Sequence, residues 1–307
     1  MRHVLLAGVL LAVLALAGCG LGAGEGARGV SVTVTGDFGA RPVGVKRVDE
    51  TKGGETVMRF LQRSFAVKTR YGGGFVQSIE GLSGGSQDGR PVDWFFYVNG
   101  IESSKGAASV KLNPGDRVWW DRHDWGAAQA VPAVVGSYPE PFRSGAGGRL
   151  LPTTVTCATS AGAACETVKD RLQREGVKVS SGTVGAASGA STLRVLVGPW
   201  RELRADGVAG RLDDGPRTSG VFARFDRAAA RLTLLDERAR ATRTLGAGAG
   251  LLAALRDRES QPTWVVAGTD AAGVLAAARA LDEDGLRNRF ALAVSGGRGA
   301  GLPEVAR

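Results

Sequence analysis

Cysteine, histidine and convergent carboxylates are the side chains that most often carry chemistry, and this 307-residue chain holds only three cysteines and two histidines. Cys157 and Cys165 lie eight positions apart in Thr156-Cys157-Ala158-Thr159-Ser160-Ala161-Gly162-Ala163-Ala164-Cys165. A redox or metal pair wants tighter Cys-x-x-Cys spacing and further ligands, so outside the cytoplasm this pair reads as a disulfide. Closing so short a loop is worth about 2.5 kcal/mol in the chain-entropy view. The acidic runs Asp213-Asp214 and Asp282-Glu283-Asp284 are consecutive. Neighbours in sequence do not converge across a cleft as a glycosidase pair must, so they read as loop and cap residues. Gly246-Ala247-Gly248-Ala249-Gly250 is expected to lead into a helix over 251–258, where free amides could hold an anion. Its Gly-x-Gly-x-Gly spacing departs from the dinucleotide fingerprint.

The expected compartment comes from the N-terminus. Met1-Arg2-His3 is a short basic start, Val4 to Ala17 is almost wholly apolar, and Leu16-Ala17-Gly18-Cys19 closes the run. About fourteen apolar residues are too few to span a bilayer and match a signal-peptide core. The Leu-Ala-Gly-Cys ending resembles the lipobox of bacterial lipoproteins. That resemblance implies a signal peptide over 1–18, cleavage before Cys19, and a lipid on the Cys19 sulfur. The mature chain would then sit on the extracytoplasmic face of the cell membrane, on a glycine-rich tether over 19–29.

Cleavage would remove His3 and leave His123 as the single histidine. Any Ser-His-Asp or Cys-His site would need it, and a histidine-rich zinc site is excluded by count. Within Asp121-Arg122-His123-Asp124-Trp125 a structural or solvated role is expected, with acidic neighbours raising its proton affinity. No enzyme, metal or cofactor is expected. The net charge of +9 falls by one with the loss of Arg2. The basic residues interleave with acidic ones, as Arg211 and Arg217 do with Asp213-Asp214, which is the pattern of a solvated face rather than a nucleic-acid footprint. Such a surface still attracts anionic envelope polymers and lipid headgroups.

The strongest signal of a binding role is aromatic. Four of the six tryptophans fall between Trp94 and Trp125. In an extended strand Trp94, Phe96 and Val98 share one face while Phe95 and Tyr97 share the other, so both faces are aromatic. One small sheet buries one face in its own core. The other is then expected to meet a ligand, a partner or a second domain. Trp94, Phe96, Tyr97, Asn99, Trp119, Trp120 and Trp125 are the ligand-contact candidates.

These residues need a scaffold. Val30, Val32 and Val34 alternate with Ser31, Thr33 and Thr35, the period of a half-buried strand, and 42–48 returns beside it. Val57, Phe60, Leu61 and Ser64 share a helical face. Strands follow at 75–82, 93–98, 109–112 and 117–121. Asn99-Gly100 is the preferred pair for a tight hairpin, and Gly115-Asp116 is a second turn signal.

Trp94-Phe95-Phe96-Tyr97-Val98-Asn99-Gly100, followed by Leu112-Asn113-Pro114-Gly115-Asp116-Arg117-Val118-Trp119-Trp120, resembles the bacterial transcobalamin-like C-terminal domain family. These β-grasp modules are similar to the C-terminal domain of intrinsic factor and transcobalamin. The resemblance covers residues 30–125 and implies a small-ligand or partner module. The helical domain that supplies most cobalamin contacts in the eukaryotic carriers has no counterpart in this sequence, so the module alone offers half a pocket.

Residues 126–150 hold Pro132, Pro139, Pro141 and a Ser-Gly-Ala-Gly-Gly run and read as a linker. Tyr138 and Phe142 within it are available to pack. From 151 to 295 strands and helices alternate, as in an α/β domain, and 296–307 reads as a frayed tail. The expected fold class is α+β: an N-terminal β-grasp-like domain followed by a separate α/β domain. The expected function is lipid-anchored extracytoplasmic ligand capture, with cobalamin or a related small molecule as ligand and an uptake transporter as partner. The alternative is a non-catalytic envelope module that mediates surface protein contacts.

Overall fold

The computed structural model describes residues 25–185, 189–257 and 260–305. Cys19, the leader and most of the tether lie outside the described residues. The fold is mixed α and β. Among the described residues, no helix is long and apolar enough to cross a membrane.

The N-terminal part contains β1 (Arg28–Gly36), β2 (Arg41–Glu50), α1 (Val57–Ser64), β3 (Val67–Arg70), β4 (Phe75–Ile79), β5 (Leu82–Ser83), β6 (Gly85–Gln87), β7 (Arg90–Val98), β8 (Ile101–Glu102) and β9 (Arg117–Asp124). Its main sheet runs β2-β1-β9-β7-β6, with β8 on β7. β1 and β2 form an antiparallel hairpin and β1 lies parallel to β9. A parallel pair needs a crossover, which α1 and the small β3-β4-β5 sheet supply. This is β-grasp topology. Val30, Val32 and Val34 are fully buried against Phe60 and Leu61 of α1, as their spacing predicts. Thr56 caps α1 by accepting from the Arg59 amide. Asn99 and Gly100 take positive φ, 55° and 76°, and close the β7–β8 hairpin. The strand expected over 109–112 is absent: Lys111 makes a single bridge to Thr56.

The second part holds β10 (Thr153–Cys157), α2 (Gly162–Arg174), β11 (Val179–Thr183), β12 (Leu193–Pro199), β13 (Ala223–Phe225), β14 (Leu232–Leu235), β15 (Ala241–Leu245), β16 (Gly250–Leu255), β17 (Thr263–Gly268), α3 (Ala271–Arg279), β18 (Ala291–Ser295) and β19 (Arg298–Leu302). Seven strands order as β11-β10-β12-β17-β16-β18-β19, and β13-β14-β15 form a separate sheet. β11, β10, β12 and β17 are parallel. β16, β18 and β19 are antiparallel to their neighbours. α2 and α3 cover one face through Val168, Leu172, Val274 and Ala277. Asp270 caps α3, accepting from the Gly273 amide at 2.8 Å. Cys157 and Cys165 are disulfide-bonded, with Cα atoms 5.9 Å apart, tying the end of β10 to α2.

Three expectations are corrected. The helix expected over 251–258 is strand β16, every residue of which is buried. A strand covered on both faces is a continuous apolar run, which hydropathy alone does not separate from a helix. The expected helix-start anion site disappears with it, and the Gly248 and Ala249 amides are satisfied by Asp270 and Thr269. The expected tail contains β19, joined to β18 through Gly296 and Gly297, both at positive φ. Residues 126–150 are a packed strap rather than a free linker. Val131 and Val134 enter one core, and Val135, Tyr138 and Phe142 the other. The Val134 amide donates to Gly100 O and the Val135 amide to Phe290 O. Tyr138 and Phe142 meet Trp264 of β17.

Candidate functional site

The ligand-contact candidates split by strand parity. On the inner face of the grasp sheet Trp94, Phe96 and Trp120 join the α1 core, and Phe96 stacks on Trp120 at 4.8 Å. On the outer face Tyr97 and Trp119 pack against the second part, with Phe290 edge-on to both. Exposure is at most 9% for all five. Asn99 is fully buried. Its amide nitrogen donates to Asp116 Oδ1 and Gly145 O, and its oxygen accepts from the Arg117 amide. Trp125 is half-buried and donates to Asp93 Oδ2. These side chains are therefore chiefly architecture: six of the seven are buried, the second aromatic face meets the second part of the chain, and of the six only Trp119 also borders an open cleft.

His123 belongs to the same seam. Its ring stacks on Phe38 and Phe95, each at 4.5 Å, and its Nδ1 lies 2.8 Å from Asp121 Oδ1. The Asp37–Ala40 turn of the β1–β2 hairpin supplies Phe38, which also meets Phe222 and Phe290. The Phe38 and Gly39 amides donate to Asp121.

The second part covers only the β9–β7 half of the outer face. Register places Ser31 opposite Arg47 and Arg117, and Thr33 opposite Val45 and Trp119. That uncovered half forms the floor of a cleft of about 430 Å³, walled by Gly136, Ser137 and Arg143 from the strap and by Glu283, Arg287 and Asn288. Ser31 and Thr33 are half-buried, and Arg47 and Val45 are exposed. Arg117 donates to Tyr138 O and to Glu283 Oε1, both at 2.9 Å. Burial pushes the Glu283 carboxyl up, but the hydrogen bond and charge of Arg117 outweigh it and hold the carboxyl below its ordinary value. Arg47 has no ion-pair partner among the described residues. The cleft therefore offers hydroxyls, a guanidinium and the nearby Asp49 carboxylate beside a fixed Arg–Glu pair, a set suited to holding a polar group. Sequence reasoning missed this floor, although the alternation that buries Val30, Val32 and Val34 also turns Ser31 and Thr33 to the opposite face. The strap and Arg287 walls carried no sequence signal, since they are distant in the chain.

Among the described residues, no group of three or more His, Cys, Asp or Glu side chains could hold a metal ion. The acidic pairs are engaged locally: Asp213 accepts from Trp200 and Arg204, and Asp282 caps the 283–286 turn through the Gly285 amide.

Residues 54–124 match a family described as a domain of unknown function (DUF4430), a transcobalamin-like family that falls within the span of the sequence resemblance. No curated protein matches the chain. A crystal structure described as that of a "putative metal binding protein" from Ruminococcus gnavus is similar at 14% identity and a TM-score of 0.26, over 32% of this chain and 97% of that one.

Proposed function

We propose that this protein is a lipid-anchored extracytoplasmic capture protein that holds a small ligand in the cleft between the β1–β2 half of the grasp sheet and the 283–288 loop. The observation that carries this reading is the half-covered face. Its apolar strands are sealed by the second domain, while Ser31, Thr33 and Arg47 are left at the floor of an open cleft. The Leu16-Ala17-Gly18-Cys19 motif supports the anchor, and the DUF4430 match is compatible with an extracellular binding role. A site held beside the membrane suits delivery to an uptake transporter. A volume near 430 Å³ lies at the low end for small-molecule sites, and a whole corrinoid is larger than this space.

The test is a thermal-shift and tryptophan-fluorescence titration with cobalamin, sugar phosphates and short peptides, on wild type and Ser31→Trp, which fills the cleft from its floor. A saturable rise in melting temperature that Ser31→Trp abolishes is the expected result. A rise that survives Ser31→Trp, or no response to any probe, overturns the reading. In the latter case the chain is better understood as a surface-contact module.

A further inference from the structure

The grasp sheet ends on a long open edge. β2 has ten residues and pairs only with β1, whereas, among the described residues, no other strand at the end of a sheet exceeds five. Short edge strands deter pairing with another chain, and a long one invites it. Most of β2 is exposed; only Val43, Gly44 and Val48 are half-buried. The backbone is turned the same way. The Ser31 amide donates to Asp116 O, on the β9 side, and Ser31 lies opposite Arg47. Bonded and non-bonded positions alternate along an antiparallel pair, so Arg47 turns its amide and carbonyl away from β1, to the open edge.

The side chains along this edge are antisymmetric in charge. Lys46-Arg47-Val48-Asp49-Glu50 places two cations and two anions about a central valine. Arg47 and Asp49 share the face that borders the cleft, and by parity Lys46 and Glu50 share the opposite face, where Val48 packs on the α1 core. Among the described residues Lys46, Arg47 and Asp49 have no ion-pair partner, and Glu50 has only a 4.0 Å contact with Arg28, both side chains being more than half exposed.

A second copy running antiparallel, with Val48 opposite Val48, matches this pattern on both faces. Arg47 then faces Asp49 of the second copy and Lys46 faces Glu50 of the second copy, each contact occurring twice by symmetry. Opposite charges directly across a ladder stabilise it, and like charges repel. Centring the pair on Arg47 or on Asp49 instead, the nearest registers that keep the faces matched, sets like charges against each other. An unrelated acidic or basic strand would match one half of the edge and oppose the other.

We infer that the protein forms a two-fold symmetric dimer by antiparallel pairing of β2 with β2 of a second copy, joining two grasp sheets into one. Val45, Arg47 and Asp49 also border the cleft, so the pairing sets the two clefts side by side across the dyad. The dimer follows from the edge strand and does not depend on the cleft being a ligand site.

Val48→Cys and Val45→Cys are introduced separately into the full chain, which is oxidised mildly in detergent and resolved by size without reductant. Directly opposed residues bring their Cβ atoms within about 5.5 Å, which a disulfide can bridge. Val45 and Val45 of the second copy would be six residues of ladder apart, about 20 Å. Val48→Cys is therefore expected to give covalent dimer and Val45→Cys little, although Val45 is the more exposed of the two. Sedimentation velocity then compares Arg47→Asp and Asp49→Arg, each alone and both together. Each single reversal sets like charges opposite at two places and is expected to raise the dimer dissociation constant by about tenfold, while the double reversal returns it to within about threefold of wild type. All of these residues are on the surface, so unchanged melting temperatures confirm that the variants fold. A chain that stays monomeric up to about 100 µM, equal cross-linking at both positions, or single reversals that the double reversal does not rescue overturns the inference. Selective cross-linking with rescue supports it whether or not any probe binds the cleft.

Discussion

His123 Nδ1 lies 2.8 Å from the Asp121 carboxylate, and both side chains are sealed in the seam between the N-terminal and second parts of the chain, at 2% and 0% exposure. Asp121 also accepts from Thr35 Oγ1 and from the Phe38 and Gly39 amides, and Thr35 Oγ1 accepts in turn from Trp119 Nε1. The pair has the structural role expected of His123 and acts as a bolt, fixing the β1–β2 turn onto β9 so that Phe38 can enter the core of the second part of the chain.

Removing that bolt should be costly. Asp121→Ala would leave Thr35 Oγ1, the Phe38 and Gly39 amides and His123 Nδ1 without this partner in a largely buried seam, a loss on the order of 3 kcal/mol, whereas Asp121→Asn keeps one acceptor and should cost less. Urea denaturation followed by tryptophan emission measures both. A midpoint for Asp121→Ala near that of wild type would show that the network contributes little.

The same turn makes a steric prediction. Gly39 has φ +82°, and a Cβ built there would sit 1.9 Å from Asn288 O. Gly29 has φ +66° with nothing within 4 Å. Both Gly→Ala changes pay the left-handed backbone penalty of about 1 kcal/mol, but only Gly39→Ala must also push the 288 loop away. Gly39→Ala should therefore destabilise by clearly more than Gly29→Ala. Equal melting temperatures would contradict the close docking of the hairpin on that loop.

Acid sensitivity follows from Glu55, whose carboxylate takes two hydrogen bonds from Arg63 at 2.7 and 2.8 Å. That interaction holds the carboxyl below its ordinary 4.5, against an upward push from burial. A depressed folded-state pKa gives stability that is complete above the unfolded value of 4.5 and is lost as pH falls through the folded one. Denaturation at pH 7, 5, 4 and 3 should show wild type above Glu55→Gln at neutral pH and the gap closing in acid. A gap independent of pH would show that the ion pair is not its source.

Reduction offers a separate check on the second part of the chain. The Cys157–Cys165 bond closes a short loop between β10 and α2, so reductant should lower stability by about 2.5 kcal/mol without touching the seam. A reduced protein as stable as the oxidised one would mean the loop gains nothing from closure.

Elements whose signal is local were legible in the sequence: the Val30–Val34 alternation, the Val57–Leu61 helical face, the Asn99-Gly100 hairpin and the Asp270 cap. Elements defined by what covers them were not. β16 reads as a helix because both its faces are buried, and the strap over 126–150 reads as a linker because its partners lie more than a hundred residues away, Trp264 for the Tyr138 and Phe142 rings and the Phe290 carbonyl for the Val135 amide. The aromatic strand was recognised, and the two-sided pattern correctly demanded a second partner for its outer face. Sequence periodicity could not say that the partner was a later part of the same chain. Nor could it say that the open cleft would be floored by the quieter Ser31, Thr33 and Arg47 beside it.

Tyr97 separates these two roles. Its hydroxyl is fully buried and has no hydrogen-bond partner among the described residues. Burial, with the charges of Glu102 and Asp121, drives its pKa well above the ordinary tyrosine value. An unpaired buried hydroxyl costs free energy, so Tyr97→Phe keeps the ring contacts with Trp119 and Phe290 while removing the penalty. The expected result is a gain of up to about 1 kcal/mol with ligand binding unchanged. If Tyr97→Phe instead leaves stability alone and weakens a ligand that Ser31→Trp also excludes, the hydroxyl reaches the ligand through the seam, and the aromatic face is part of the site after all.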